Sequence, residues 1–317
     1  MLTLIQPAIR SRVPELRRQF ETDPPFRHVV VDDFLDAEFC RHLMAEFPVF
    51  DPAKALNELG TVGRKAVFTN LPRLGTSYAR FDRMMRSREF LSFIGEITGI
   101  PALLYDPEYI GGGTHENLAG QELDSHVDFN YHPTRHLHRR LNLIVFLNPE
   151  WRVEWGGCLE LDSNPWVPQE SPAVRTIVPL ANRAVLFETS ERSWHGFKKI
   201  ALPPGNERIS RRSIAVYFYT RRRPPEETAP SHSTIYVPRG LPEQIQPGHT
   251  LTDADLESLR NLLTRRDQQI RMLYDREKRF TSTISGTVES KAYRLSRVLA
   301  WPYRMLWKLT HKAPSAR

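Results

Sequence analysis

The chain has 317 residues, 40% of them hydrophobic, and a formal net charge of +7, which allows one large packed domain or one domain with appendages. Its two cysteines, Cys40 and Cys158, exclude a disulfide framework or a zinc cluster and suit a reducing cytoplasm. Seven basic and no acidic residues fall in 290–317, which leaves the rest balanced at 37 of each sign and gives the main body no electrostatic footprint for nucleic acid.

Residues 1–24 read as an N-terminal segment without a charged-then-apolar leader. Residues 27–50 read as a short strand, RHVVVDDFL, and then a helix with Asp36 as N-cap, a Phe39, Leu43, Phe47 stripe and a stop at Pro48. Residues 51–80 carry mixed loop signals, and a helix is expected over 83–98, with Phe90, Phe93, Ile94 and Ile97 on one face and Gly99 at its end. From about 103 to 222 the texture becomes short runs of Val, Ile, Leu, Phe and Tyr broken by Gly, Pro and Asn. LNLIVFLN (141–148), GGCLEL (156–161), RTIVPL (175–180), RAVLFET (183–189) and RRSIAVYFYT (211–220) are the clearest, and the pattern predicts an all-β sandwich or barrel. A Pro-rich linker is expected over 223–250 and a helical, basic extension over 251–317. In that extension Thr252 and Asp255 fit a capping box, and Leu256, Leu263 and Ile270 recur every seven residues. Leu259 and Leu273 lie near the complementary positions and Arg266 interrupts them; a break is expected at Ser285-Gly286. No run reaches the roughly 18–20 apolar residues of a membrane span.

The chemistry concentrates in Ser125–Tyr219. On a strand, residues i and i+2 point the same way, so His126 and Asp128 can share one ion while Val127 faces away. With His195 from a distant strand, they form the two-imidazole, one-carboxylate set that suits Fe(II) and leaves positions open. Arg211 and Ser213 repeat the same spacing as a receptor for a carboxylate, with Arg212 as the alternative if the register slips. Asn142 is a candidate polar contact or equally a core amide, and Ile144 and Phe146 are candidate wall residues on its face. His115, His132, His136 and His138 read as loop histidines at the rim of a pocket, and Tyr217 shares the Arg211 face.

The ordered set HVDFN, RRLNLIVFLNPEW, GGCLEL, VPLANRAVLFET, SWHGF and RRSIAVYFYT resembles the Fe(II)/2-oxoglutarate-dependent dioxygenases of the prolyl 4-hydroxylase-like branch, over roughly 25–222. The resemblance implies a mainly β fold with supporting helices, a double-stranded β-helix (jelly-roll, cupin-like) core, followed here by the helical extension. It implies Fe(II) at His126, Asp128 and His195, and 2-oxoglutarate with its distal carboxylate on Arg211 and Leu159 packed beside it. Some relatives place a Tyr hydroxyl on that carboxylate where this chain has Phe146, so Ser213 or Asn142 would have to supply the second donor. The implied activity is hydroxylation with O2, releasing succinate and CO2, with ascorbate as an accessory reductant. The substrate class is open between a peptide or protein residue, an amino acid and an envelope glycan, reached through loops 111–124, 129–139 and 51–80. A catalytically silent metal-binding module and a scaffold acting through its C-terminal helices are the competing readings. Residues 288–317, basic and rich in Trp, Tyr and Leu, fit peripheral contact with an anionic membrane at its inner face.

Overall fold

Fifteen helices and strands of residues 7–197 build a helical layer and two sheets, and their order explains the core. They run α1 (Pro7–Ser11), α2 (Val13–Thr22), β1 (His28–Val31), α3 (Ala37–Ala45), β2 (Ala66–Phe68), α4 (Thr76–Met85), α5 (Arg88–Thr98), β3 (Leu104–Tyr105), β4 (Gly113–Asn117), β5 (Leu123–Val127), then, after the longer β6 (His138–Phe146), β7 (Leu159–Asp162), with β8 (Arg175–Ile177), β9 (Ala184–Glu188) and β10 (Trp194–Phe197). β11 (Arg211–Thr220), β12 (Ile235–Tyr236) and α6 (Asp253–Glu289) complete the chain. This computed structural model describes residues 2–55, 65–166, 174–206, 208–237, 240–241, 244–290, 293, 295–296 and 299–300. It divides into two units, Met1–Pro238 and Arg239–Arg317.

The first unit is a double-stranded β-helix. One sheet has the order β1-β9-β6-β11-β4-β2, with β3 on the far end of β11, and the other has the order β12-β5-β10-β7-β8. All strand pairs within both sheets are antiparallel. Alternation divides β6 and β11 between two cores. Leu141, Leu143, Val145, Ile214, Val216 and Phe218 join the helices in the large cluster. Phe146 packs instead with Leu159, Leu161, Val185 and Phe187, and Ala215, Tyr217 and Tyr219 form a further cluster, with Ile144 bordering both.

The N-terminal residues are part of this body, not a separate segment. Leu16 and Phe20 of α2 are fully buried in the helical cluster with Phe90, Phe93 and Ile97 of α5. Each such side chain contributes about 1.5–3 kcal/mol of burial. α3 starts as expected, with Asp36 accepting from the Phe39 N–H at 2.9 Å. The helix expected over 83–98 is two helices, because Ser87 interrupts at Arg86 and caps α5 by accepting from Phe90 N at 3.2 Å. The first of them begins at Thr76, inside the stretch read as loop. Gly99 ends α5 at φ 69°, a left-handed position where a Cβ is costly.

The expected linker also needs correcting. Residues up to Tyr236 belong to the first unit: β12 adds to β5, with Tyr236 opposite His126, and Val237 N–H donates to Ser125 O. In the second unit, both halves of the capping box at Thr252 and Asp255 form. α6 runs through Ser285-Gly286 to Glu289 without the expected break. Gly286 sits in open space, so it costs the helix only about 1 kcal/mol relative to Ala. No helix among the described residues is long and apolar enough to cross a membrane. Of the basic tail, residues 291–292, 294, 297–298 and 301–317 lie outside the described residues, as do 56–64 of the loop expected to face substrate.

Candidate metal and carboxylate site

β5 and β10 are neighbours in register, and His126 stands directly opposite His195. Their ring centroids are 4.2 Å apart. Each Nδ1 lies 2.8–2.9 Å from the carbonyl two residues earlier on its own strand, Asp124 O for His126 and Ser193 O for His195. A neutral imidazole held this way donates from Nδ1 and presents Nε2 as a lone pair. Asp128, just past the end of β5, brings Oδ1 to 3.9 Å from His126 Nε2 and Oδ2 to 3.4 Å from His195 Nε2. One ligand atom from each of the three lies within 4.8 Å of the others, the one such group of His, Cys, Asp and Glu among the described residues.

The electrostatics keep this set ready to bind. Burial, and then the neighbouring His195, push the His126 imidazole down to about 3, and burial lowers His195 as well, so both rings are neutral near pH 7. Burial alone would raise Asp128, but Arg139, His195, His126 and the Asn142 amide hold its carboxyl well below the usual range. Two nitrogens and one ionised oxygen, all inward and all with free lone pairs, fit a mid-series divalent ion such as Fe(II).

Arg139 was not distinguished by the sequence and carries much of this arrangement. It is among the largest fully buried side chains. Its Nη2 donates to Asp128 Oδ2 at 2.9 Å, and Asn142 Nδ2 donates to the same oxygen at 2.7 Å. Arg139 Nε and Nη2 also donate to Asn142 Oδ1, at 3.0 and 2.8 Å. The guanidinium is sandwiched, with Cζ 3.5 Å from the Tyr217 ring and 4.4 Å from Phe129. Asn142 therefore supports Asp128 through Nδ2, while its Oδ1 accepts from Arg139.

Arg211 lies on the same inward face and is differently placed. It is buried, with Nε donating to Gly157 O at 2.6 Å. Its Cζ lies 4.4 Å from the Phe197 ring and 5.1 Å from Phe146. Among the described residues no acidic side chain pairs with it, and burial brings its pKa down to about 10. Ser213, two residues on, faces Phe146 on one side and His115 on the other. Leu159 lies in the apolar cluster with Phe146. Arg212, the alternative, points the other way and pairs with Glu116 at 3.0 Å.

Two further residues enter the site. His115 is a buried residue of β4, not a rim histidine, and Lys65 Nζ lies 3.2 Å from its Nε2. Burial brings Lys65 down to about 8, against an upward pull from Asp128; Arg139 and Arg211 press it lower. His132 is also buried, with Nε2 3.4 Å from Asp106 Oδ1. Only strand parity could have found His115, since Thr-His-Glu lies outside the obvious apolar runs. Nothing in the sequence marks Lys65.

The sequence model of the 2OG-Fe(II) oxygenase superfamily matches residues 113–219, the segment from β4 to β11. Prolyl 3-hydroxylase OGFOD1 of Mus musculus is 34% identical over 89 residues, covering 27% of this chain and 16% of that protein. The Xenopus laevis protein of the same name is 32% identical over 122 residues, covering 34% and 23%. The chain thus spans less than a quarter of the length of these curated relatives. Among solved structures, a Pseudomonas putida prolyl-4-hydroxylase is similar at a TM-score of 0.48 and 17% identity, over 66% of this chain and 99% of that one. A Trichoplax adhaerens prolyl hydroxylase, solved with a hypoxia inducible factor peptide, gives a TM-score of 0.45 and 16% identity, over 69% and 96%. Over residues 113–219, which hold all three donors of the cluster and Arg211, the chain is therefore similar to the 2OG-Fe(II) oxygenase superfamily.

Proposed function

We propose that the protein is an Fe(II)/2-oxoglutarate-dependent hydroxylase. In this reading His126, Asp128 and His195 hold the metal, and Arg211 with Ser213 takes the distal carboxylate of 2-oxoglutarate. When bound, the metal and keto acid couple oxidative decarboxylation to oxygen insertion into a C–H bond. The chain's own residues do the rest. The Asp124 and Ser193 carbonyls fix which imidazole nitrogen faces the ion. Arg139 and Asn142 keep Asp128 ionised and oriented. Phe146 and Phe197 flank the guanidinium with apolar surface that keeps water away, and Leu159 packs in the cluster of Phe146. Lys65, Arg139 and Arg211 against Asp128 leave an excess of positive charge that suits a dianion.

The observation that carries this reading is the pairing of a three-donor cluster with a buried guanidinium that has no acidic partner among the described residues. A prolyl residue in a peptide is the first substrate to offer, since the curated relatives are named prolyl 3-hydroxylases; free amino acids and envelope glycans follow. The test is anaerobic titration with Fe(II) and 2-oxoglutarate, followed by succinate release in air with and without ascorbate. A visible charge-transfer band in this protein, lost in His126→Ala, together with succinate, supports the proposal. A band without succinate under any condition refutes the enzyme and leaves a metal-holding module. Contact of residues 288–317 with an anionic membrane is a separate proposal, resting on composition and tested by vesicle flotation with and without those residues.

A further inference from the structure

The heptad stripe of α6 is exposed. Leu263, Leu273, Phe280 and Ile284 are 59%, 56%, 53% and 62% accessible, and Leu256 and Ile270 are exposed as well. Taking Leu256 as the first core position, the series spaced by seven runs Leu256, Leu263, Ile270, Glu277, Ile284. The complementary series, three residues on, runs Leu259, Arg266, Leu273, Phe280, Thr287. Each series has one charged interruption, and the two have opposite signs.

We propose that α6 is the dimerisation helix of this protein, pairing antiparallel with α6 of a second copy about a two-fold axis between Arg271 and Met272. An antiparallel pair sets each position of the first series against one of the second. With that axis, Leu256 faces Thr287, Leu259 faces Ile284, Leu263 faces Phe280 and Ile270 faces Leu273 of the other copy. Arg266 then faces Glu277, twice by symmetry. Each interruption of the apolar seam meets its complement, and no other layer is charged. A parallel pair would set Arg266 against Arg266 and Glu277 against Glu277, two like-charge layers in one seam. Sliding an antiparallel pair by one heptad separates Arg266 from Glu277 and buries each against an apolar residue, which is costly. Opposite charges within the seam therefore select both orientation and register, as a buried polar position does in other coiled coils. The flanks agree. The same axis brings Arg260 beside Thr281, Asp267 beside Tyr274, and Gln269 beside Arg276, with no like-charge pair.

The partner is a second copy because the complementarity is internal: the helix supplies every match to itself. The helix is also well prepared to stand as a rod. Its start is held by the capping box, and Asp255 accepts further from Gln244 at 3.0 Å and His249 at 2.9 Å.

The test uses the full chain and does not depend on the proposed activity. Sedimentation equilibrium should give a dimer. R266E alone, or E277R alone, creates two like-charge layers and should raise the dimer dissociation constant by about tenfold or more. The double variant R266E/E277R restores complementary layers and should return the constant to within about threefold. Unchanged far-ultraviolet circular dichroism checks that each variant is folded. Orientation is read by oxidation. The native cysteines are both buried, and L263C/F280C should cross-link between copies while L263C alone should not. A monomer at every concentration, a higher oligomer, cross-linking by L263C alone, or a double variant no better than the singles would each overturn the proposal.

Discussion

The two ends of the candidate site solve the problem of a buried charge in opposite ways. At the metal end, Asp128 is matched within the protein by Arg139 and Asn142, so the carboxylate is satisfied before any ligand arrives. At the other end, Arg211 is tethered through one nitrogen to a backbone carbonyl and otherwise faces aromatic rings. A buried cation with no acidic partner among the described residues is unfavourable, and on the proposed reading an outside anion completes it. On the proposed reading, the charge already answered within the protein belongs to a metal ligand, and the unanswered one to the receptor of a co-substrate.

That contrast can be broken by mutation. The largest effect falls on the donors: Asp128→Ala should weaken Fe(II) binding by more than the roughly 100-fold typical of losing a ligand's supporting hydrogen bond. Calorimetry of metal binding reads this directly, and near-normal affinity would remove Asp128 from the ligand set. Next, Arg211→Met should weaken 2-oxoglutarate by about a hundredfold, on the scale of a bidentate charged contact, and leave Fe(II) affinity nearly unchanged. Arg139→Met should do the reverse, costing about 10–100-fold in metal affinity and little in 2-oxoglutarate affinity once metal saturates. If both variants moved both constants equally, the two ends would not be separable.

A fourth measurement uses pH. The unfolded chain takes up a proton on each histidine near pH 6.5, whereas folded His126 does so only near 3, with His195 and His115 also lowered. The unfolded state therefore binds more protons in between. Metal-free stability should be level above about pH 6.5 and fall as pH drops from there toward 3, at up to about 1.4 kcal/mol per unit for each histidine. Melting curves at pH 7, 5.5 and 4.5 test the sign, and His126→Gln should flatten the slope. The smallest effect is at Lys65: Lys65→Met removes one of three cations and should weaken 2-oxoglutarate by about threefold to tenfold, since the other two remain. An unchanged affinity would assign Lys65 to some other part of the pocket.

Much of the site follows from side-chain alternation alone. His126 with Asp128, and Arg211 with Ser213, were legible because each pair occupies a regular strand or its immediate end, and β11 has the bounds that its apolar run predicts. Arg139 was illegible for a definite reason. The pairing of β6 with β11 shifts between Phe218 and Tyr219, so that Leu141 faces Phe218 but Arg139 faces Tyr219. Arg140 is the extra residue of a bulge, and the bulge reverses the alternation that would have turned Arg139 outward. Arg140 pairs instead with Glu188 and Glu227. In the sequence the two arginines are simply adjacent. The N-terminal helices were not legible because each is short and carries a proline in its first turn, Pro7 and Pro14, which reads equally as a loop signal. β12 escaped because two residues between prolines carry no period at all.

The glycine pair before β7 has a consequence beyond its turn. Gly156 and Gly157 both adopt positive φ, 66° and 65°, and an added Cβ would strike neighbours: the Lys199 carbonyl at position 156, and the Trp151 and Ile200 side chains, each 2.9 Å from it, at position 157. That conformation turns two successive carbonyls to useful directions, one toward the Trp151 indole and the next toward Arg211 Nε. The arginine is thus anchored by an uncharged acceptor. Its aim is fixed while its full charge stays available, and on the proposed reading an incoming dicarboxylate would displace no acidic side chain of the described residues.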